Sequence, residues 1–152
     1  MDTVAVDVRT LVFRTVEDPS IAERPRACPF AGANLFLGGR ILPLDTADGD
    51  ALGVALACSA VGSPLVRDVV LPFYVEFRFD SGERYAADGV ARVIDTDVPQ
   101  PGVVQVGCAL RLVTGPPGLT GGTATSASVF DPRGALETGT GSIWTIRAYF
   151  DD

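Results

Sequence analysis

The chain has 152 residues, 47% apolar and 20% charged, with 19 acidic side chains against 12 basic ones, no histidine and a net charge of −7. That length suits one domain, residues 1–152, with a core large enough to fold without a metal or disulfide staple. Its arginines are scattered singly, which argues against nucleic acid and anionic membrane surfaces, because both are held by clustered cations.

Val4 to Phe13 alternates with period two and predicts a first strand, with Val4, Val6, Val8 and Val12 on one face and Asp7 and Arg9 on the other. Glu17 to Pro29 reads as a charged, proline-bearing connection and as the least ordered part of the chain. Strands are then expected at about 34–44 and 51–61, joined by the acidic turn Asp45 to Asp50. The next pair, about 68–79 and 84–95, is joined by Asp80-Ser-Gly-Glu83, a hairpin signal. A sixth strand spans about 103–114 between proline-rich turns. The seventh and eighth, Thr125 to Phe130 and Leu136 to Phe150, flank Asp131-Pro-Arg-Gly134. Eight short strands with polar turns fit either a sandwich or a closed barrel.

Charged residues mark the outer faces. Glu76 and Arg78 turn Phe73, Val75, Phe77 and Phe79 inward and Tyr74 outward, and Arg84, Asp88 and Arg92 turn Tyr85, Ala87, Gly89 and Ala91 inward. The sixth strand points Val104, Val106, Cys108, Leu110 and Leu112 inward, and the eighth Ser142, Trp144, Ile146, Ala148 and Phe150. The third is expected to turn Leu52, Val54, Leu56 and Cys58 the same way. Rings and very small residues thus share the interior. They either fill a tapering barrel or leave a cavity lined by the rings.

Without histidine, Ser-His-Asp and Cys-His catalysis and the common zinc-hydrolase sites are excluded, and without lysine so is Schiff-base chemistry. Gly115 to Gly122 has neither the P-loop ending nor dinucleotide-fingerprint spacing. Glu76, Asp88 and Glu137 are expected as solvated surface charges. Cys28, Cys58 and Cys108 are odd in number and fit no disulfide framework or zinc spacing, so reduced thiols are expected, with Cys58 and Cys108 facing inward and inert. No metal or cofactor is expected. No run of 18 uncharged apolar residues and no signal peptide is evident, so the expected location is cytoplasmic.

Three stretches carry a family resemblance. Gly121-Gly122-Thr123 forms a corner opening a penultimate strand, with Asp131 to Gly134 as the turn into the last one. Ile41 to Gly53 is a strand, an acidic turn and a strand beginning with a small residue, and Phe77 to Tyr85 is a strand, tight turn and strand running into Ala87-Asp-Gly89. In order and spacing they resemble the allene oxide cyclase and dirigent type of β-barrel across about residues 34–150. Ala124 stands where that family usually continues with glycine. The resemblance implies an all-β, eight-stranded antiparallel barrel with an apolar central cavity.

Among bacterial barrels of this kind are the spirotetronate cyclases, Diels-Alderases of polyketide biosynthesis. By resemblance, Phe73, Tyr74 and Trp144 occupy the places that surround the substrate there. The expected function is a cofactor-independent intramolecular [4+2] cycloaddition of a linear polyketide, with Phe73, Phe77, Trp144, Cys58 and Cys108 around the substrate and Tyr85 or Tyr74 hydrogen-bonding a carbonyl. The alternatives are a lipocalin-like carrier of a hydrophobic small molecule and a filled barrel serving assembly. A homodimer is expected, through apolar surface on the first strand and at Leu35 or Leu37.

Overall fold

In the computed structural model, which describes residues 3, 6–45, 50–62, 64–137 and 139–151, the period-two alternation becomes eight antiparallel strands. They are β1 (Asp7–Glu17), β2 (Leu35–Leu42), β3 (Gly53–Ser59), β4 (Val70–Phe79), β5 (Arg84–Thr96), β6 (Val104–Thr114), β7 (Leu119–Phe130) and β8 (Gly141–Phe150). Each pairs with the next and β8 pairs back onto β1, so the barrel closes, with the shortest seam between β1 and β2, over Arg14–Glu17 against Gly39–Leu42. Val4 lies outside the described residues, and β1 runs on to Glu17, past the expected end at Phe13.

The last hairpin differs from expectation in two ways. Strand β7 passes through the glycine corner and begins at Leu119, while β8 begins only at Gly141. Gly122 has φ +150°, and a Cβ there would collide with the Arg147 carbonyl oxygen, so the corner lets β7 bend closely over β8. The described residues of the connection 131–140 form a loop, organised by the Asp131 carboxylate, which accepts the N–H groups of Ala135 (3.0 Å) and Leu136 (2.8 Å).

Connections after β1, β3, β5 and β7 gather at one end of the barrel. The other end, where β2, β4 and β6 finish, is closely packed with rings among the described residues. There Phe13 meets Phe77 and Phe79 edge-on at 5.1 and 5.4 Å, Phe79 meets Tyr85 at 6.2 Å, and Arg9 caps the Phe150 ring at 4.2 Å. Leu112, Ile146 and Ala148 complete this core.

The segment 18–34 departs most from expectation. It is a strap laid across the outer face of β2 to β5. Ile21 sits against Gly38, where any Cβ would crowd it, and Arg24 stacks on Phe36 at 4.0 Å. Phe30 and Cys28 pack on Cys58, Tyr74 and Ala86, forming a second apolar cluster outside the barrel wall. Tyr74 faces outward as expected, yet the strap buries it.

The strap also corrects the reading of β3. Pairing of Ala55 with Phe77 and of Ala57 with Val75 turns those alanines inward, so Leu52, Val54, Leu56 and Cys58 all face outward. Leu56 and Cys58 are buried beneath the strap, whereas Leu52 is exposed. A second correction concerns Leu35 and Leu37, which pair with Ser59 and Ala57 and line the interior. On β1, Val8 and Val12 do present apolar surface, beside Ile143 and Tyr149 of β8.

Cys28 and Cys58 form a disulfide, contrary to the expectation of reduced thiols, and only Cys108 is free. The bond crosses from strap to wall over 30 residues of chain, a loop long enough to restrict the unfolded state appreciably. Denatured, unreduced protein is expected to show one alkylatable thiol, and reduction to lower stability by about 2–4 kcal/mol. Thiol counting by mass spectrometry and urea unfolding with and without reductant check both.

Candidate functional site

Toward the end bearing the strap and the 131–140 loop, the interior is hollow. A cavity of about 620 Å³ lies there, within the range of small-molecule sites. Its floor is Trp144, 3% exposed, whose ring rests edge-on against Phe77 at 5.0 Å and faces Phe73 at 6.4 Å. Alternation on β2 to β6 supplies an apolar wall from Leu37, Ala57, Leu71, Phe73, Val75, Ala91, Val106 and Cys108. Glu17, Pro19, Asp131 and Leu136 stand at the mouth.

The opposite wall is polar but uncharged. Ser128 of β7 pairs with Ser142 of β8, which pairs with Thr15 of β1, so three inward hydroxyls lie in a row across adjacent strands. One step deeper, Ser126 pairs with Trp144 and its Oγ lies 3.1 Å from that of Ser128. Trp144 Nε1–H donates to Thr15 Oγ1 at 3.2 Å, which fixes the ring and leaves the threonine proton available to an acceptor. Sequence reasoning did not single out Thr15, Ser126 or Ser128. The available signal was the small-residue alternation Ala124-Thr-Ser-Ala-Ser128, read in register with inward Cys108.

Of the expected site residues, Phe73, Trp144 and Cys108 line the cavity, and Phe77 lies just beneath it. Burial pushes the Cys108 thiol up to about 11, so it stays protonated and inert at neutral pH. Cys58 is removed from the set, since it is outside the wall and disulfide-bonded. Tyr74 is also outside, where its hydroxyl donates to Glu76 Oε2 at 2.8 Å. Burial and that carboxylate both raise its pKa.

Tyr85 points inward as expected but sits at the packed end, away from the cavity. Its hydroxyl is buried with no partner at hydrogen-bond distance among the described residues; burial above all raises its pKa, with the nearby Glu83 and Arg9 acting in opposite directions. Tyr85→Phe is therefore expected to leave ligand handling unchanged and stability equal or higher by up to about 1 kcal/mol, since an unpaired buried hydroxyl is a liability. A drop in the urea midpoint would show that the hydroxyl has a partner after all.

Glu76 is a further correction. Far from being solvated, it is 7% exposed and accepts from Tyr74 Oη, from the Arg26 backbone N–H at 2.7 Å and from Arg78 at 2.9 Å. Arg78 also holds Glu23 of the strap at 2.8 Å. The cluster is a structural clamp on the far side of the wall from the cavity. A shallower depression of about 510 Å³ on the outer wall, beside Asp88, Ala109, Arg111, Thr123 and Thr125, faces solvent.

No protein-family model, curated protein or solved structure matches the chain.

Proposed function

We propose that the barrel takes up a linear, largely apolar polyene bearing a conjugated carbonyl and promotes its intramolecular [4+2] cycloaddition. The observation that carries this reading is the two-sided cavity, apolar on β2 to β6 and lined with hydroxyls on β7, β8 and β1. The resemblance of the glycine corner and hairpins to the allene oxide cyclase type of barrel supports it.

Cycloaddition needs no nucleophile, base or metal. It needs the chain folded so that diene and dienophile meet, and a hydrogen bond that draws electron density from the dienophile. Trp144, Phe73 and the apolar wall supply the fold. In place of the tyrosines, Thr15, Ser128 and Ser142 supply the donors.

The test is to incubate the protein with a linear triene bearing a terminal enone and to follow the product by chiral chromatography. Accelerated formation of one stereoisomer supports the cyclase, and Ser142→Ala is expected to slow it about tenfold, the equivalent of one hydrogen bond. A second reading, a carrier that releases its ligand unchanged, uses the same cavity, whose inner wall among the described residues carries no charged group. Saturable binding with the background rate and racemic product would establish the carrier.

A further inference from the structure

We infer that the cavity selects uncharged ligands that carry several oxygens along one edge, and that it refuses carboxylates. The inference rests on the ligand-binding reading above, common to cyclase and carrier, and narrows the chemical class of what binds.

Three observations lead to it. First, Ser128, Ser142 and Thr15 are direct cross-strand neighbours. With strands about 4.8 Å apart, their row is roughly 10 Å long. A single terminal oxygen would engage one hydroxyl of the row, whereas a chain oxygenated at intervals along one edge engages all three.

Second, each hydroxyl has one O–H to donate and two lone pairs that accept, so the row serves carbonyl, ether and hydroxyl oxygens alike. A carboxylate entering an apolar cavity needs a cation to keep its charge or must take up a proton, because burying an unpaired charge is heavily penalised. Among the described residues lining the cavity there is no arginine, and the chain has no lysine or histidine.

Third, the charges that do stand at the mouth are acidic. Glu17 and Asp131 flank it, on a protein of net charge −7. An approaching anion meets repulsion at the rim before it meets desolvation inside. Fatty acids and free polyketide acids are thus disfavoured twice, while their esters, lactones and ketones are not.

The only tryptophan forms the cavity floor, so its emission reports occupancy by a conjugated probe. Three probes are titrated at pH 8: methyl retinoate, retinoate, and 1,6-diphenylhexatriene, which has no oxygen. The ester is expected to bind at least tenfold more tightly than the anion. Ser128→Ala combined with Ser142→Ala is expected to weaken the ester about fivefold, with diphenylhexatriene reporting in the same variant that the cavity persists.

Equal affinity for ester and anion would overturn the charge selection while leaving the binding cavity standing. An unchanged ester affinity in the double variant would overturn the role of the hydroxyl row. Quenching by none of the three probes would overturn the cavity reading itself, and with it the inference.

Discussion

Glu76→Ala is expected to destabilise the protein by about 3–5 kcal/mol, as breaking a buried ion pair does. In a chain of this size that lowers the melting midpoint by roughly 10 °C or more. The alanine leaves three groups without their acceptor: Tyr74 Oη, the Arg26 N–H and one side of the Arg78 guanidinium. The first two belong to a region that the strap covers, where water is a poor substitute. Arg78 keeps Glu23, which limits the loss. Glu76→Gln, which retains an acceptor oxygen and the side-chain volume, should lose about half as much. Asp88→Ala is the matched control. Asp88 sits on the neighbouring strand opposite Tyr74, pairs loosely with the well-exposed Arg111 at 3.6 Å, and should change stability by no more than about 0.5 kcal/mol. Urea unfolding of the three variants checks the ranking. Equal, small losses for Glu76→Ala and Asp88→Ala would show that the strap does not seal the cluster from solvent.

Glu76 and Asp88 look alike in the sequence, each an acid at an outward position of an amphipathic strand. What separates them is a segment fifty residues upstream that lies over one and not the other, and no local pattern reports that. The same cover explains β3. Charges marked the outer face of β4, β5, β6 and β8, and there the inward residues were legible. Gly53–Ser59 carries no charge and is buried on both faces, by the barrel interior and by the strap, so its parity had no marker. Cys28 and Cys58 are 30 residues apart along the chain, and only the folded path of the strap brings them together.

Depth along the barrel is a separate difficulty. Alternation fixes whether Tyr85 points in or out but not which end of the barrel it occupies, because that depends on the stagger between successive strands. Tyr85 pairs with Phe77, two positions along β4 from Val75 and four from Phe73, and that offset moves it from the hollow end to the packed one. The hydroxyl row was hidden for the opposite reason. Serine and threonine are tolerated on either face of a strand, so Ser128, Ser142 and Thr15 become a site only once the closure of β8 onto β1 aligns them.

Trp144→Ala should act on both stability and chemistry, and the two effects separate. The ring is 3% exposed and packs on Phe77, but one side already borders the cavity, so removing it extends an existing void instead of creating an isolated one. The expected loss is about 3 kcal/mol, the lower end for an aromatic truncation. On the proposed cyclase reading, cyclisation would depend on the floor far more steeply, because reacting carbons displaced by about 1 Å can lose a hundredfold in rate. At a temperature where circular dichroism shows the variant folded, Trp144→Ala is thus expected to cyclise the linear triene at least a hundredfold more slowly while still binding it. Trp144→Phe keeps a ring against Phe77 and releases Thr15 Oγ1 from the indole N–H. It should lose about 1–2 kcal/mol and stay within about tenfold of the wild-type rate. A folded Trp144→Ala variant with undiminished turnover would mean that the ring is packing alone, and that the substrate folds against the other wall.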